Sequence, residues 1–117
     1  MPNINHSHKD FSCLLNMLES IKKIQDYSSN FQIADDLYND TKSFDAVMMN
    51  FVVIGEMADK LSDEFIEETN SIIDWLKVKA FRNIIAHNYF GIDAEEVWQI
   101  IQISLANLKI ELTKLVK

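Results

Sequence analysis

One proline and two glycines are all that punctuate a chain of 117 residues. Proline lacks an amide hydrogen and clashes with the preceding helical turn, and glycine loses the most backbone entropy on folding. A sheet protein needs such turn residues roughly every ten positions to reverse its strands, and this chain does not supply them. The scarcity points to an all-α fold. Apolar residues make up 48% of the chain, enough to fill a core. The length suits one domain over 1–117, with residues 1–8 expected as a flexible tail.

Hydrophobic periodicity places the helices. Phe11, Leu14, Leu15, Leu18, Ile21 and Ile24 recur at three- and four-residue steps and predict a first helix over about 9–27. Asn30 is expected to cap a short turn through Leu37. A second helix over 43–61 carries the stripe Val47, Met48, Phe51, Ile54, Gly55, Ala58 and Leu61. Met49, Val52 and Val53 fall on a neighbouring face, so this helix is apolar around most of its girth and should be buried on more than one side. Ser62-Asp63-Glu64 reads as the capped start of a short helix ending near Asn70. A fourth helix follows a cap at Asp74 and runs at least to Ala86. A fifth starts at Asp93, with Glu96 three positions on as a variant capping box. Its stripe of Ala94, Val97, Trp98, Ile101, Leu105, Leu108, Leu112 and Leu115 has the spacing of a bundle seam. The expectation is an up-and-down bundle of four to five helices. The excess apolar surface on 43–61 suggests a symmetric dimer packed partly through that helix or the Arg82 segment.

Several classes are disfavoured. No stretch reaches the roughly 18 uninterrupted apolar residues of a membrane span, and the first residues lack the regions of a signal peptide. Cys13 is the one cysteine, so no internal disulfide forms and a cytoplasmic location is expected. His6 and His8 have no cluster of other ligands around them in sequence, so no metal or cofactor is expected. The net charge of −7 opposes nonspecific nucleic-acid binding, which needs a basic footprint. Any action on RNA must use a small local site or a partner's surface.

The chemically informative segment runs from Phe81 to Gly91. Arg82 is the only arginine, in a chain whose other ten basic residues are lysines. Arginine differs from lysine most where a phosphate must be gripped at two points. His87 follows five residues later, and Asn83 lies one turn before it. On a regular helix Arg82 and His87 diverge by about 140°. Either the helix ends before His87, as Asn88 and Gly91 would permit, or a working site combines residues from two chains. Glu56 sits in a mostly apolar helix, where a carboxylate needs a partner, Arg82 or a lysine.

Arg82, His87 and Tyr89 together reproduce an Arg-x-x-x-x-His-x-Tyr signature, followed by Phe90-Gly91-Ile92-Asp93 and Val97-Trp98. With 50–56 (Asn-Phe-Val-Val-Ile-Gly-Glu) and Trp75, the chain resembles HepT-like toxins of the HEPN superfamily over about 9–117. The resemblance implies a metal-independent RNA endonuclease of a type VII toxin–antitoxin system, acting as a homodimer on tRNA or mRNA. It implies Arg82 and His87 as catalytic residues of paired motifs; beside them Asn83 either orients the imidazole or the phosphate or caps the helix, and Glu56 either supports the site or is structural. It also implies a cognate MntA-type nucleotidyltransferase antitoxin that neutralises the toxin by attaching AMP to Tyr89. The alternative is a HEPN module that binds RNA or nucleotide without cutting and partners a nucleotidyltransferase. The acidic charge favours that alternative, and the intact Arg82–His87 pair opposes it.

Overall fold

A computed structural model describes residues 7–117; residues 1–6, including His6, lie outside the described residues. The chain is all-α, as expected. Helix α1 spans His8–Ser28, so His8, expected in the tail, is helical, and residues 1–6 of that expectation lie outside the described residues. Ser7 caps it by accepting the Asp10 amide at 3.1 Å. Its buried face is Cys13, Leu14, Met17, Ile21 and Ile24, whereas Leu15 is exposed. Leu14 and Leu15 differ by 100° of rotation, and only one of them can point into the core.

The expected cap at Asn30 is not made. The chain passes through an extended Ile33 into α2, Ala34–Asn39. The short turn expected through Leu37 is thus a short helix of its own, running to Asn39. Asp40 alone links α2 to α3, Thr41–Lys60: its amide closes α2 while its carboxylate accepts the Ser43 amide. α4 spans Asp63–Thr69 and α5 spans Trp75–Asn88, with caps at Ser62 and Asp74 as predicted. A 3-10 turn, Tyr89–Gly91, leads to α6, Ala94–Gln99. There Asp93 accepts the Glu95 amide at 2.9 Å, so the cap is present but the predicted reciprocal box with Glu96 is not. A π-helical segment, Ile100–Ser104, continues into α7, Leu105–Val116, and the three form one rod. No helix is long and apolar enough to cross a membrane among the described residues.

α1 packs along α3 on one flank and α7 on the other, and α5 lies against α3. The ends of α1 and α4 are tied by Asp10, which is 1% exposed. Burial pushes its carboxyl up, but hydrogen bonds from Ser62 and Ser7 outweigh that and hold it below its ordinary value. Ser62 donates to it through the backbone amide at 2.8 Å and the hydroxyl at 2.7 Å. The other buried polar link joins α4 to α5: Trp75 Nε1 donates to Thr69 Oγ1 at 2.8 Å. α3 nevertheless keeps an uncovered apolar strip. Met49 is exposed and Val52 and Val53 are half-buried, so the chain's own core does not cover this helix.

α3 and α5 cross closely at Gly55. A Cβ on Gly55 would lie 2.4 Å from Arg82 Cβ and 2.9 Å from its Cγ. Helix propensity alone favours Ala over Gly by about 1 kcal/mol. Gly55→Ala should instead destabilise by about 1–3 kcal/mol, because a methyl group there forces the two helices apart. Urea unfolding measures the sign directly.

Candidate active site

Arg82 and Tyr89 lie seven residues apart on α5 and the turn that ends it, and both reach α3. Their partners Asp45, Glu56 and Asp59 share one stripe of α3 with the exposed Met49 and half-buried Val52, at steps of four, three, four and three. One stripe of α3 therefore presents carboxylates at both ends of the contact, with apolar side chains between them.

At one end, Arg82 Nη1 lies 2.7 Å from Glu56 Oε1 and Nη2 lies 2.7 Å from Asp59 Oδ2. Lys79 Nζ approaches the other oxygen of Asp59 at 3.8 Å. The hydrogen bond to Glu56 is the main cause of a raised guanidinium pKa, with Asp59 adding to it. Glu56 thus takes the arginine partner that was one of its two expected options. Asp59 was not anticipated. Two cations and two carboxylates stand together at this spot, so their formal charges sum to zero.

At the other end, the Tyr89 hydroxyl donates a hydrogen bond to the Asp45 carboxylate. Its ring packs edge-on to Phe44, with centroids 6.2 Å apart, and to Phe90, at 5.5 Å. Burial, and then the hydrogen bond and charge of Asp45, push the phenol up to about 12. A surface groove of about 630 Å³ opens beside it, lined by Tyr38, Phe44, Met48, Met49 and Phe90 among others. Phe90 is 97% exposed. Asp45 was also missed by the sequence reading; its step of four and seven residues to Met49 and Val52 was the available signal.

α5 runs without a break through His87 and ends at Asn88, whose φ of −147° leaves the helical region. The helix therefore does not end before His87, and Arg82 and His87 do not converge within one chain. His87 instead shares an exposed stripe with Leu76, Ala80 and Asn83, extended by Phe90 beyond the helix end. Asn83 and His87 are one turn apart on that stripe, as expected, and away from Glu56. A second groove, of about 320 Å³, lies between α5 and the α6–α7 rod and is lined by Phe51, Ile73, Phe81, Ile84 and Ile100 among others.

The chain is 33% identical over 110 residues to a Methanocaldococcus jannaschii protein named as a gamma-glutamylcyclotransferase and candidate RNase, covering 93% of this chain and 49% of the relative. It therefore spans about half of that two-activity protein. A second protein of the same organism, named as a candidate RNase, is 30% identical, covering 89% of this chain and 84% of its own length. A Thermococcus cleftensis protein named "Probable ribonuclease HepT" is 28% identical, covering 97% of this chain and all of the relative. No solved structure gives a significant match. Residues 17–115, which include the α3–α5 contact and the whole Arg82–Tyr89 segment, match the family described as ribonuclease HepT-like, and the chain belongs to that family.

Proposed function

We propose that this chain is a metal-independent RNA endonuclease, the toxin of a type VII toxin–antitoxin pair, whose working site is shared between two protomers. The observation that carries the reading is the unbroken α5. Arg82 and His87 point about 140° apart on one helix, so they act on one phosphate only if two copies bring opposite faces together. The exposed Leu76–Ala80–Asn83–His87 stripe and the exposed Met49 support a dimer that juxtaposes these faces.

In such a site Arg82 holds the scissile phosphate and stabilises the charge that builds on it. Only two of its guanidinium N–H groups are engaged by Glu56 and Asp59, which orient the side chain and leave donors for a phosphate oxygen. His87 of one protomer removes the proton of the ribose hydroxyl, and the second His87 protonates the leaving oxygen. Asn83, on the same stripe, orients the imidazole or the phosphate. RNA, as tRNA or mRNA, is the substrate. A nucleotidyltransferase encoded beside this chain's gene would control it by adding AMP to Tyr89.

A second reading is a binding module that does not cut. What favours it is the cancelled charge around Arg82 in a chain of net charge −7.

Three measurements test the main reading. Sedimentation at micromolar concentration should give a dimer; a strict monomer removes the shared site. Purified protein should cleave total RNA in EDTA, and Arg82→Ala and His87→Ala should each lose about 10²-fold or more. Arg82→Lys should be impaired as well, since a point charge does not reproduce the two-pronged grip. Uncut RNA with wild type, but RNA retained on the protein, selects the binding module. Tyr89→Phe should still cleave RNA yet escape neutralisation, and intact-mass analysis after co-expression should show AMP on wild type and none on Tyr89→Phe.

A further inference from the structure

The Tyr89 oxygen occupies a defined position. Its ring is held edge-on by Phe44 and Phe90, and the backbone below it turns tightly at Gly91, where an added Cβ would lie 2.5 Å from Asn88 Oδ1. The hydroxyl sits at the rim of the groove between α3 and the end of α5. The titratable groups facing it there are Asp45 from α3 and Tyr38 from α2; the rest of the groove lining carries no charge.

A phenol in this setting is a weak nucleophile by itself. With its pKa pushed up to about 12, the phenolate makes up only about 10⁻⁵ of the population at neutral pH. Transfer of a phosphoryl group must therefore remove the O–H proton as the new bond forms, and a base has to be within reach of that proton. The Asp45 carboxylate already accepts it. We propose that Asp45 is the proton acceptor for nucleotidylation of Tyr89, so that the base for this modification belongs to the modified protein and not to the transferase. The inference rests on the proposed control through Tyr89.

The step balances without a redox partner. A lone pair of Tyr89 Oη forms the bond to the α-phosphorus of ATP. The bond from that phosphorus to the oxygen bridging to the β-phosphorus breaks, and pyrophosphate leaves with the electron pair. The phenolic proton passes to Asp45 and then to water. In protein kinases a catalytic-loop aspartate accepts the substrate hydroxyl's proton in the same way; here the carboxylate and the hydroxyl share one chain.

The test uses full-length wild type, Asp45→Asn and Asp45→Glu, each incubated with ATP, magnesium and the neighbouring nucleotidyltransferase, with AMP addition followed by intact mass. Asparagine keeps a carbonyl that accepts the hydrogen bond but removes the basicity. Asp45→Asn should slow transfer about 10²-fold at neutral pH. Its rate should climb about tenfold per pH unit as phenolate forms, whereas the wild-type rate stays flat through the neutral range, where carboxylates are ionised. Asp45→Glu should recover much of the rate. All three should still cleave RNA, because Asp45 lies outside the residues assigned to cleavage. Equal rates and equal pH profiles for wild type and Asp45→Asn overturn the role of Asp45 and leave control at Tyr89 standing. Wild type that gains no AMP from an active transferase overturns both.

Discussion

Where α3 crosses α5 there is no space for a single methyl group, and the geometry of the site follows from that. Gly55 lets the Arg82 backbone come close enough to α3 that its side chain lies along the helix and not out in solvent. From there the guanidinium meets residues one and four positions after Gly55, Glu56 and Asp59, which lie on the same side of α3. The close approach also brings the end of α5 down onto Phe44 and Asp45, which positions the Tyr89 ring and hydroxyl. A larger residue at 55 would therefore disturb both ends of the contact, although it touches only one of them.

The two ends differ in what their carboxylates do. Glu56 and Asp59 meet a permanent cation, so their effect is to orient and to neutralise. Asp45 meets a neutral phenol, so its effect is to polarise a proton. On the proposed function, such a division would let a chain of net charge −7 carry phosphate chemistry. It does not collect RNA by long-range attraction, which needs many lysines or arginines on one face. Instead, any phosphate selectivity has to come from a few groups whose geometry is set in advance, and association should be slow and weakly steered.

Much of this was legible in the sequence, and the misses have physical causes. Caps at Ser62, Asp74 and Asp93 were readable because capping is local: the side chain bonds an amide two or three residues on. Arg82 stood out by being alone, and Glu56 by lying in an apolar helix. Asp59 and Asp45 did not stand out, since a carboxylate near a helix end ordinarily faces water, and only the tertiary crossing gives them partners. The choice of Met17 over Leu15 in the core of α1 is tertiary as well, because both fit a helical stripe. The π segment at Ile100–Ser104 was invisible for another reason: one extra residue in a turn barely alters a periodic pattern read from a single chain. The divergence of Arg82 and His87 was computable from their spacing, but whether the helix stops before His87 needed the observed end at Asn88.

The same layout bears on how a modification at Tyr89 would act. Along α5 the tyrosine is about 10 Å from Arg82, given a rise of about 1.5 Å per residue. That exceeds the Debye length of about 8 Å at physiological salt, and Glu56 and Asp59 already surround the guanidinium. Direct competition of an AMP phosphate for Arg82 is therefore the weaker effect. Closer to the modification, the consequences are larger. Esterified Oη has no proton left to donate to Asp45, and a phosphodiester anion would stand beside the carboxylate. The contact that holds the tyrosine in place becomes a repulsion between like charges. The modified side chain must then turn out of the groove, toward the solvent side where Phe90 is exposed. Phe90 continues the stripe of Asn83 and His87, so the displaced nucleotide would project toward the face that carries the histidine. Control by occupancy of that face, more than by charge at Arg82, is what the arrangement of α3 and α5 favours.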